Sequence, residues 1–149
     1  MSTEVRFYHL QRGTVEQSLP QLLAKIYSGG HKIVVKLGTP ERVKVFDDLL
    51  WTFDPNSFLP HAQSGDENAA EQGILLTTED ENPNGANILI LADGAIAENM
   101  EDFDICCEIF NGLDQDALKT ARNHWKDFQD KGFDTVYFQQ NERGGWEKK

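Results

Sequence analysis

Cysteine is nearly absent from this chain, and what there is stands as one adjacent pair, Cys106-Cys107. Adjacent cysteines suit neither the CxxC spacing of zinc and redox sites nor a loop-closing disulfide, so they read as buried free thiols. Long apolar runs are missing too: nothing approaches the ~20 residues of a membrane span, and the opening MSTEVRFYHL has no signal-peptide pattern. The expectation is a soluble, cytoplasmic protein with no membrane contact. Positive charge is also scarce, with 14 Lys and Arg against 25 Asp and Glu and a net charge of −11. Most of the surface then repels nucleic acid and anionic lipid, and contact with DNA is expected to be local or indirect.

Catalytic signatures are missing in the same way. No GxxxxGK(S/T) loop is present to cradle phosphates, and no GxGxxG follows the first apolar run; HExxH and GxSxG do not occur. His9, His31, His61 and His124 sit far apart without ligand spacing, and the acidic stretches EDEN and NMEDFD lack the fixed glycine and closing glutamate of an EF-hand. No metal, no cofactor and no catalytic residue is expected.

What the chain does have is an alternation of short apolar runs with helix-period segments. VRFYHL (residues 5–10) reads as a strand; Thr14 and Gln17 offer a capping box for a helix carrying Val15, Leu19, Leu22, Leu23 and Ile26, with Pro20 arguing for a late start or a kink. Gly29-Gly30 closes that helix, HKIVVKL is β-branched, and Thr39-Pro40 opens a second helix to about Leu50. GILLTT, NILILAD, DICCEIF and FDTVYFQQ are further strand candidates, with a long helix over residues 114–131. At 149 residues the economical reading is one α/β domain, residues 1–149, with a mostly parallel sheet. The polar stretch 61–73 reads as an exposed loop and residues 141–149 as a C-terminal tail.

Two features stand out. LLWTFDPNSFLPH (residues 49–61) crowds Trp51, Phe53, Phe58 and Leu59 around Pro55 and Pro60. Core elements rarely hold prolines so densely and solvated loops rarely hold so many rings, so either the chain's own core or another protein covers them. On the last helix, Ala117, Ala121, His124 and Phe128 share one face, Lys119, Arg122 and Lys126 form a stripe opposite, and Trp125 with Leu118 lies on the border. An indole beside two cations suits an apolar group joined to an anion, as in capture of a peptide C-terminus; an ordinary solvated face with a packing tryptophan is the plainer reading.

ERVKVFDDLLWTFDPNSFLPH, FYHL in the first strand, ARxxWK at residues 121–126 and the terminal ERGGWEKK together resemble the chi subunit family of bacterial DNA polymerase III holoenzyme. The resemblance implies a three-layer Rossmann-like fold without a nucleotide site. It implies a non-enzymatic accessory subunit that binds the acidic C-terminal tail of single-stranded-DNA-binding protein and links it, through the psi subunit, to the clamp loader. The family's tail pocket falls on Arg122, Trp125 and Lys126, and its partner surface on Trp51, Phe58 and Pro60. A repair helicase is a further partner that some members bind. Trp146 is expected to fold back onto the domain or to await a partner. Two other classes stay in view: a small α/β enzyme, which needs a cleft with converging polar groups at the carboxyl ends of the strands, and a direct single-strand binder using the last helix and stacking aromatics.

Overall fold

The computed structural model describes residues 3–52, 60–67, 69–143 and 145–149. The chain runs β1 (Glu4–Leu10), α1 (Val15–Ser28), β2 (Ile33–Lys36), α2 (Pro40–Thr52), β3 (His61–Gln63), β4 (Ile74–Thr77), β5 (Ile88–Leu91), β6 (Ile105–Asn111), α3 (Gln115–Asp130), β7 (Asp134–Gln140) and β8 (Trp146–Lys148). The strands form one sheet in the order β3-β4-β2-β5-β6-β1-β7-β8. All pairings are parallel except the last, β7 with β8. Parallel neighbours need crossovers, and α1 carries the chain from β1 to β2, α2 from β2 to β3 and α3 from β6 to β7 in a Rossmann-like α/β arrangement. β3 to β4 and β5 to β6 are joined by segments with only a short 3-10 turn.

Strand alternation sorts the core into two layers. One face of the sheet packs Leu19, Leu22 and Leu23 of α1 and Phe46 and Leu50 of α2 against Leu10, Ile33, Val35 and Ile109. The other packs Ala121 and Phe128 of α3 against Val5, Phe7 and Cys106. Each fully buried Leu or Phe contributes roughly 1.5–3 kcal/mol of apolar transfer. The short central strands β2, β4 and β5 lie between both layers and read IVVK, ILLT and ILIL, without the polar alternation of a one-sided sheet.

Helix starts follow their caps. Thr14 accepts from the Gln17 amide at 3.3 Å while Gln17 Oε1 accepts from the Thr14 amide at 3.0 Å. With that box closed the helix starts at Val15 without delay and runs through Pro20, which is buried beside Leu19. Thr39 Oγ1 accepts from the Arg42 amide at 3.3 Å ahead of α2, and Asp114 caps α3 at the Asp116 and Ala117 amides.

The exposed loop expected over residues 61–73 is only partly one. His61 and Ala62 are buried in edge strand β3, whose register against β4 runs His61 to Ile74 and Ala62 to Leu75. Backbone pairing at a sheet edge asks for few apolar side chains, so the run lacked a hydrophobic signal. The residues that follow, 64–67, are exposed. The C-terminal tail folds back as β8, with the Trp146 ring 5.0 Å from Tyr8 in edge-to-face contact. No described helix is long and apolar enough to cross a membrane.

Candidate functional site

Helix α3 leans on β6, β1 and β7, and where it does so a groove of about 280 Å³ opens, lined by Leu118, Ala121, Arg122 and Trp125 of the helix, Phe110 of β6 and Tyr137 of β7. The expected border position of Trp125 is realised: the indole is half-buried, 5.2 Å from Phe7 and 5.7 Å from Tyr137, edge-to-face with both. Arg122 and Trp125 therefore share one groove. Lys126 is exposed one turn further along the helix and is not among the lining side chains. Among the described residues no carboxylate lines this groove, in a chain whose acids outnumber its bases.

The groove's far wall comes from strands. The Tyr137 hydroxyl and His9 Nδ1 share a hydrogen bond, and the His9 ring packs 5.1 Å from Phe110. Burial pushes the His9 imidazole below its ordinary pKa, and the nearby Arg122 charge adds to that; burial raises the Tyr137 phenol, against which Arg122 works. Both groups stay neutral near pH 7, leaving the guanidinium as the charge at the groove. Behind the helix, Glu108 Oε1 of β6 meets His124 Nδ1 at 2.7 Å. Glu108 is buried, which raises its pKa, while its carboxylate holds the His124 imidazolium and raises that group too.

Phe110, Tyr137 and His9 escape a reading confined to the last helix. Their signal lay in strand alternation: Phe7, His9, Phe110 and Tyr137 all occupy the sheet face that α3 covers.

The aromatic stretch is only partly visible. Trp51 is 54 % exposed at the end of α2, with its ring 4.6 Å from that of His61. Pro60 is half-buried and its carbonyl accepts from the Ile74 amide at 3.1 Å, which starts β3. Phe58 lies outside the described residues. Structure thus separates an exposed ring from a proline with a structural task.

A cleft at the carboxyl ends of the strands, as an enzyme would require, does exist. Its volume is about 400 Å³, and its walls carry Glu16, Asp93, Asp114 and Asp116. Arg42 is committed there, bonding Asp93 through Nε and Nη2 at 3.0 Å each and Glu16 at 2.5 Å. The N-termini of α1 and α3 that open onto it are occupied by their own caps, Thr14 and Asp114. Anionic phosphates would meet carboxylates where a nucleotide site offers free amides. Among the described residues no group of three His, Cys, Asp or Glu is placed to hold a metal ion.

The fold and the groove together define a Rossmann-like α/β protein with a cationic, aromatic-walled surface site on its last helix. Residues 1–136 match the family described as DNA polymerase III chi subunit, HolC, and the chain belongs to that family. It is similar to the probable DNA polymerase III subunit chi of Rickettsia prowazekii, at 29 % identity over 56 % of this chain and 51 % of that one. It is also similar to the DNA polymerase III subunit chi of Haemophilus influenzae, at 33 % identity over 44 % of this chain and 48 % of that one. The chain spans about half the length of these curated relatives. Among solved structures, the C-terminal domain of the DEAD-box protein Dbp5 aligns with a TM-score of 0.30 and 14 % identity over 92 % of this chain and 76 % of that one, too loosely to bear on either fold or function.

Proposed function

We propose that this protein is a non-catalytic replication adaptor of the cytoplasm whose α3 groove holds the acidic C-terminal tail of single-stranded-DNA-binding protein. The observation that carries this reading is the shared groove of Arg122 and Trp125, free of carboxylates among the described residues in a chain of net charge −11. A tail ending in Pro-Phe presents a ring and a terminal carboxylate. Trp125, Phe110 and Tyr137 wall the ring, and Arg122 takes the carboxylate in a charge-assisted hydrogen bond worth roughly 1.5–3 kcal/mol. Lys126, outside the lining, acts at longer range on the acidic residues upstream.

The exposed Trp51 indole is the anchor for a second protein, psi or an equivalent link to the clamp loader, with a repair helicase as another user of the same surface. DNA is reached through the partners, since the surface charge opposes direct contact.

Calorimetric titration tests the reading, with one peptide copying the tail and another lacking its final Pro-Phe. Saturable binding that disappears with the truncation supports it; no heat at low salt, where charge attraction is strongest, overturns it.

A further inference from the structure

On the sheet face opposite α3, helix α1 leaves the outer strands partly bare. A groove of about 460 Å³ lies there, and its walls include Arg6, Tyr8, Lys25, His31, Phe138 and Trp146. The aromatic side is preassembled: Tyr8 stacks on Phe138 with centroids 5.2 Å apart, and Trp146 stands edge-on to Tyr8 at 5.0 Å. Phe138 and Trp146 lie beyond residue 136, where the family match ends.

The polar side carries Lys25 of α1, Arg6 of β1 and His31 of the connection before β2. Lys25 projects from the last turn of α1 and enters no ion pair among the described residues. Arg6 of β1 is held by Glu4 at 2.5 Å, which fixes the guanidinium at the rim. Asn87 Oδ1 accepts from the Lys32 amide at 3.3 Å, so the Asn87 amide nitrogen donates to His31 Nδ1 at 2.8 Å and Nε2 is left as the ring's donor. Among the described residues no carboxylate is one of the lining side chains, although Asp and Glu outnumber Lys and Arg 25 to 14 in the chain.

We infer that this groove is a second peptide site, which takes an acidic segment carrying an aromatic side chain, the ring against Tyr8, Phe138 and Trp146 and the carboxylates toward Lys25, His31 and Arg6. Charge complementarity selects the occupant: donors on one side and an aromatic wall on the other, with Glu4, held on Arg6, as an acid at the rim. The proposal stands apart from the α3 groove and does not require it to be occupied.

The chain's three tryptophans give the test its resolution. The indole N–H resonances of isotope-labelled protein are followed during titration with the capped peptide acetyl-Asp-Asp-Phe-Asp-Asp-amide at low salt, and Trp146→Phe identifies its own resonance by loss. The expected result is a saturable shift of the Trp146 indole, weakened about tenfold or more by the surface reversal Lys25→Glu and unchanged by Arg122→Glu. Movement of the Trp125 indole alone, no movement at all, or an unaltered titration of the Lys25→Glu protein would overturn the proposal. So would a single-stranded oligonucleotide that moves Trp146 where the peptide does not. A Trp125 shift sensitive to Arg122→Glu reports on the α3 groove separately, so either site can fail without the other.

Discussion

Glu108 and His124 form a 2.7 Å ion pair between β6 and α3, with the carboxylate almost wholly buried. The pair lies behind the helix whose outer surface carries Arg122, so it sets how that helix sits. Removing His124 strands a buried carboxylate, and loss of one partner of such a pair costs about 3 kcal/mol or more. His124→Ala is expected to lower stability by that order in chemical denaturation, and Glu108→Gln, which leaves no stranded charge, by less.

The same pair gives stability a pH dependence of fixed sign. His124 is raised above its unfolded value by Glu108, so its contribution is fully present below pH ~6.5 and lost as pH rises through the higher folded pKa. Melting temperature should therefore fall on the alkaline side of neutrality, and the fall should flatten in the Glu108→Gln protein.

Arg122 and Lys126 are one helical turn apart but only Arg122 lines the groove. Arg122→Ala should weaken tail-peptide binding about tenfold or more. Lys126→Ala should cost about threefold or less, an effect that added salt erases. Equal losses for the two variants would contradict the geometry.

Gly112 is a glycine because of a close approach. A Cβ at this position would overlap the His9 imidazole and come within 2.8 Å of the Leu10 carbonyl. Since His9 braces Tyr137, Gly112→Ala is expected to weaken peptide binding at the α3 groove and to cost about 1–3 kcal/mol of stability from overpacking. Parallel titration and denaturation of the one variant would show both.

Trp51 is more than half exposed, so Trp51→Ser should change stability by less than about 1 kcal/mol. Capture of the proposed clamp-loader partner is expected to drop sharply in the same protein, as measured by co-purification of the two chains.

Much of this was legible in the chain because local chemistry agreed with the fold. The Thr14 and Gln17 box, the Thr39-Pro40 start and the three-and-four spacing of α3 all act within a few residues. The α3 stripe placed Arg122 beside Trp125 correctly for the same reason. What could not be read was whatever depends on distant pairing. Edge strand β3 carries only His61, Ala62 and Gln63, and its register comes from β4. The Tyr137 wall of the groove is braced by His9, which lies 128 positions away in the chain. The hydrogen bond from the Ile74 amide to the Pro60 carbonyl, which leads into β3, was equally out of reach of a local reading.

The interior position of β1 has a consequence for how the sheet is assembled. Glu4 pairs with Ile105 on one side and Asp134 on the other, so β1 has no neighbour until β6 and β7 have been made. Non-local parallel pairing of this kind is slow, and an unpaired apolar strand is exposed to aggregation while it waits. Assembly of the sheet around β1 therefore waits on β6 and β7, and the edge of β7 is in turn covered by β8.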